Sequence, residues 1–83
     1  MEISIKVSPE DYEKLRDDIP HESRAREAID KATWIEHALG GVEFEGYDIL
    51  CDQEQARLLL ATAKRCCPTA VHDIEKAIAF ANK

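Results

Sequence analysis

The stretch Ser23–Leu39 constrains this chain most, because it is the longest run with a helical period. Ala25, Ala28, Ala32, Ile35 and Leu39 recur at steps of three and four, and Ile29 and Trp34 flank them. That spacing predicts one helix over 23–39 with a broad apolar stripe. Gly40-Gly41 follows, and glycine suits the left-handed backbone of a helix stop. A helix this apolar along one side must be covered by the rest of the protein.

What can cover it is limited by length. A chain of 83 residues makes one domain, 1–83, with one modest core. Before the central stretch, Ile3, Ile5 and Val7 alternate with Glu2, Ser4 and Lys6, which is the period of a half-buried strand. Ser8-Pro9-Glu10-Asp11 is a helix start: Ser8 as N-cap, Pro9 where its missing N–H costs nothing, Asp11 closing a capping box. The helix turns Tyr12, Leu15 and Ile19 inward and stops at Pro20, which pushes its predecessor out of the helical region.

After Gly41 the period changes. Val42 and Phe44 alternate, then Tyr47, Ile49 and Cys51 alternate on the other parity, with Gly46 at the switch. Either Gly46 is a bulge in a single strand or Glu45-Gly46 is a tight hairpin turn. Glutamate is a poor first residue for such a turn, so the bulged strand is preferred, and it supplies a partner for residues 1–7. Asp52 with Gln55 predicts a capped helix burying Ala56, Leu59, Leu60, Ala63 and Cys67. Pro68-Thr69 restarts the chain, with Thr69 as cap, and Val71, Ile74, Ala77, Ile78 and Ala81 give a last buried stripe. The expected fold is α+β: a small β-α-α-β-α-α domain, four helices packed with a two-stranded sheet.

No constellation of catalytic residues emerges. Cys66-Cys67-x4-His72 gathers soft ligands, but lacks the usual zinc spacing and a fourth ligand. Cys51 with His37 would be a thiolate–imidazole pair only if the fold joined them. Asp17-Asp18 and Glu43/Glu45 are paired acids of the kind that also form ordinary solvated surface. Phosphate-binding glycine motifs and nucleophile elbows are absent. The expectation is no enzyme, no cofactor and no metal. Three cysteines, an odd number, fit reduced thiols and a cytoplasmic location. No apolar run reaches the ~20 residues of a membrane span, and Met1-Glu-Ile-Ser-Ile-Lys does not read as a signal peptide.

The charge is −6, with ten acidic and six basic residues in 1–39 and seven and five in 40–83. Such evenly spread acidity argues against nucleic acid and for a protein partner with a basic surface. Glu10, Asp11, Glu13, Asp17, Asp18, Glu43 and Glu45 are the candidate contacts. The function this supports is a small, acidic, non-enzymatic regulator or inhibitor acting by protein–protein binding. In composition it resembles the inhibitors carried by phages and mobile elements, anti-CRISPR proteins among them, which act on nucleic-acid-binding machines. Exposed sheet edges would also allow a homodimer through an edge strand.

A second resemblance rests on Ile3-Ser-Ile-Lys-Val7, Ser8-Pro-Glu-Asp-Tyr-Glu-Lys-Leu15 and Ser23-Arg-Ala-Arg-Glu-Ala-Ile29. Residues 1–38 look like the strand–helix–helix outline of the ribbon-helix-helix repressors and antitoxins. That likeness implies a dimer whose paired strands enter the DNA major groove, with Ser4 and Lys6 as the reading residues. Glu2 would meet DNA with repulsion, and Pro20-His21-Glu22 replaces the family's glycine.

Overall fold

A computed structural model describes residues 2–39 and 42–82, with side chains for 2–36 and 45–82. The element order is β1 (Ile3–Val7), α1 (Pro9–Asp18), α2 (Arg24–Asp30), β2 (Thr33–Leu39), β3 (Val42–Cys51), α3 (Gln53–Cys66) and α4 (Pro68–Ala81). Four helices stand against a three-stranded antiparallel sheet of order β1-β3-β2. The class is α+β as expected, but the sheet has three strands.

The third strand comes out of the predicted central helix. Its first half is helical: Ser23 caps it by accepting from the Ala25 N–H, and Ala25, Ala28 and Ile29 are buried. At Lys31 the backbone leaves the helix with ψ near zero (−1°), and Thr33-Trp34-Ile35 continues extended. β-Branched and aromatic side chains favour that geometry. Pairing with β3 then satisfies the backbone groups that a longer helix would have satisfied internally.

The β2–β3 register runs unbroken from Thr33↔Asp48 through Ile35↔Gly46 to Leu39↔Val42. Gly46 is therefore an ordinary strand residue and not the expected bulge. β1 pairs β3 only from Tyr47 to Cys51, as the sequence led us to expect for these two strands. Consequently, the part of the β2–β3 hairpin before Tyr47 extends past the end of β1.

The core lies where β1 meets β3. Ile3, Ile5, Val7 and Ile49 join Tyr12, Leu15, Ile19, Ala25, Ala28, Ile29, Ala56, Leu59, Ala63, Cys67, Ala70 and Ile74 in one buried cluster. Removing a side chain the size of leucine from water contributes about 1.5–3 kcal/mol. The caps are mostly those anticipated. Ser8 Oγ accepts from the Asp11 N–H, Ile19 leaves α1 extended before Pro20, and Asp52 with Gln55 closes a full capping box. α4 departs from expectation, because its N-cap is Cys67, with no side-chain cap bond, and Thr69 lies within its first turn. Among the described residues, no helix is long and apolar enough to cross a membrane.

Candidate functional site: the inner face of the β2–β3 hairpin

Tyr12 on α1 begins the site. Its hydroxyl donates to the Ile29 carbonyl at 2.8 Å, which fixes α1 against α2 and sets the ring plane. Tyr47 of β3 stacks on that ring, centroids 3.9 Å apart and planes 16° from parallel. Trp34, the cross-strand partner of Tyr47, meets it edge-on at 5.3 Å. Arg16 lies over the Tyr12 ring, 5.7 Å from its centre, within reach of a cation–π attraction. An aromatic row thus leads from α1 across β3 to β2, an edge strand of the sheet.

The row ends in the open. Trp34 is 48% exposed, contrary to the expectation that it flanks a buried stripe, and its indole N–H donates to Glu36 Oε2 at 3.4 Å. Glu36 in turn stands directly opposite Glu45, and both are exposed. Like charges directly opposite on a sheet are destabilising. Among the described residues neither glutamate has a basic side chain within ion-pair distance.

The other expected contacts are scattered. Glu10 and Glu13 are exposed on α1. Asp17 is exposed, 3.9 Å from its neighbour Arg16. Asp18 binds Arg65 at 2.7 Å, which clamps the C-terminal ends of α1 and α3 and offsets a negative charge placed at a helix C-terminus. The Glu43 side chain lies outside the described residues, although its backbone pairs with Ala38 in the same hairpin. Of the six whose side chains are described, only Glu45 joins the aromatic row.

Asp11 has to be withdrawn as a surface contact. It is buried, and one carboxylate oxygen accepts from Cys67 Sγ at 2.9 Å and from the Thr69 hydroxyl at 2.8 Å. Burial pushes this carboxyl up, but bonds from Cys67, Thr69 and Ser8 outweigh it and hold the group below the ordinary carboxylate range. The carboxylate that was to close the capping box instead ties α1 to the start of α4.

The thiols are similarly committed to structure. Cys51 is buried and donates to the Ile3 carbonyl; burial, helped by Asp52, pushes its thiol up to about 11. Burial also raises Cys66 and Cys67, with Asp18 acting on the first and Asp11 on the second. All three cysteines are free. Cys51 sits seven residues along β3 from Phe44, the backbone partner of His37. At ~3.3 Å per residue that spacing keeps the two positions about 23 Å apart. His72 is exposed while Cys67 is buried, and among the described residues no three His, Cys, Asp or Glu side chains group to hold a metal.

Ser4 and Lys6 face away from the core. Ser4 donates to the Asp48 carboxylate, and both line an open groove of roughly 360 Å³ with Ala77 and Phe80 of α4. β1 finds its strand partner in β3 of its own chain, unlike the intermolecular ribbon that the repressor resemblance implies. Comparison with protein-family models, curated proteins and solved structures found no match to this chain.

Proposed function

We propose that this protein is a small acidic regulator or inhibitor with no chemistry of its own, binding a basic surface of another protein through the Trp34–Glu36–Glu45 face of the hairpin. The observation that carries the reading is the Glu36–Glu45 pair. Two facing carboxylates with no ion-pair partner among the described residues destabilise the isolated hairpin, and a lysine or arginine from outside would turn that repulsion into attraction. Trp34 beside them offers the aromatic surface that interface centres favour. A nucleic-acid-binding machine has a basic groove of this kind, so an anti-CRISPR-like inhibitor is the narrower form of the proposal.

The test is affinity capture from the native cells with the natural chain and with Glu36→Lys/Glu45→Lys. A basic protein retained by the first, lost by the second and inhibited by the purified natural chain is the expected result. Retention by both variants overturns the assignment of the face. A shift of duplex DNA at low salt, abolished by Lys6→Ala, would instead favour the repressor-like alternative through Ser4 and Lys6.

A further inference from the structure

β2 is one of the two outer strands of the sheet, and its one extensive neighbour is β3, whereas β1, the other, is flanked by α4. A strand so placed directs half of its backbone N–H and C=O groups away from the sheet, as a template for another strand. Proteins usually blunt such an edge with proline, lysine or a bulge. Thr33–Leu39 contains neither proline nor lysine, and its register with β3 is unbulged. The one acidic residue on this edge is Glu36.

That charge decides which strand can add. A second copy pairing antiparallel would bring two Glu36–Glu45 faces together on chains of charge −6; like charges juxtaposed across an interface penalise that partner. An extended segment with basic residues at every second position meets no such penalty. Opposite Glu36 its side chain would lie about 4.5–5.5 Å away between Cβ atoms, and two residues on it would cross the half-exposed Trp34 ring, where a cation is attracted to the π face. Resting on the proposed basic partner, we infer that this partner docks by adding an extended, alternately basic segment as a fourth strand along β2. Main-chain bonds would supply affinity and the alternate cations specificity.

A synthetic peptide of alternating arginine and valine tests this. Expected are a change in emission of Trp34, the sole tryptophan, and slowed amide exchange across 33–39. Binding should weaken about tenfold or more, equivalent to ~1.4 kcal/mol, when the amides on one edge of the peptide are N-methylated. Replacing arginine by glutamate should abolish it. Equal binding of the N-methylated peptide, lost with Glu36→Gln, would overturn strand addition while leaving the basic-partner reading intact. Binding indifferent to Glu36→Gln and Glu45→Gln would overturn both. Failure of the peptide to bind at low salt, or sedimentation of the free chain as a dimer that Glu36→Gln tightens, also overturns the inference.

Discussion

The two sides of β3 are built on opposite principles. Toward β1, the inward pairs Ile3–Cys51 and Ile5–Ile49 are buried, and only Tyr47, opposite buried Val7, is partly open. Helices cover that side, and even its buried polar side chains, Asp11, Gln55 and Thr62, are hydrogen-bonded. Toward β2, the inward row is half open, and two facing carboxylates follow Trp34 along it. One side holds the fold together; the other gives up stability and leaves groups that an outside partner can complete. A core explains the first arrangement, whereas the proposed recognition role would account for the second.

Paired truncations would break this contrast most directly. Leu59→Ala or Ile49→Ala removes a fully buried side chain and should cost about 2–5 kcal/mol in urea unfolding. Trp34→Ala removes a larger but 48% exposed ring and should cost less than either, its edge-on contact with Tyr47 adding about 0.5–1.5 kcal/mol to the partial burial. Comparable losses at both positions would mean that the hairpin is part of the core after all.

Asp11 sharpens the same contrast through pH. Its carboxyl titrates below the ordinary value of 3.8 when folded, so its stabilisation is fully present above that value and lost as pH falls through the folded value. Asp11→Asn should cost about 1–3 kcal/mol at neutral pH and flatten the acid limb of the stability profile. The thiols give a smaller, kinetic signal. With Cys51 raised to about 11 and Cys67 buried, a neutral-pH alkylating reagent should modify half-buried Cys66 first, and all three slowly. Rapid labelling of Cys51, read by mass spectrometry, would contradict the packing of Cys51 against Ile3.

Most of the covered half was legible in the sequence, because caps and periods there agree. Ser8-Pro9, Ser23 and Asp52-x-x-Gln55 mark three helix starts, and the α3 stripe follows without conflict. The open half was misread for a specific reason. Ala32, Ile35 and Leu39 continue a helical stripe, but Thr33, Ile35, His37 and Leu39 also alternate as a strand. A short apolar run satisfies both periods. The β-branched and aromatic residues at 33–35 were the available signal for the strand. That error hid Glu36 and Trp34, whose meaning depends on facing Glu45 and Tyr47. Asp11 was misplaced because Glu10-Asp11-x-Glu13 reads as a charge run. Yet Asp11 lies one turn before buried Leu15, on the same helix face, and its partners Cys67 and Thr69 are remote in the chain.

The smallest expected effect separates recognition from architecture most cleanly. Glu45→Lys replaces a repelling cross-strand pair by an attracting one, and should stabilise the free protein by about 0.2–1 kcal/mol. Added salt should stabilise the natural hairpin by screening the repulsion and lose or reverse that effect in the variant. A merely solubilising surface would gain stability without loss of function. A recognition face would gain stability and lose its partner. Urea midpoints at low and high salt, set beside capture of the basic partner by the same two proteins, distinguish these outcomes; increased stability with undiminished capture would remove Glu45 from the contact.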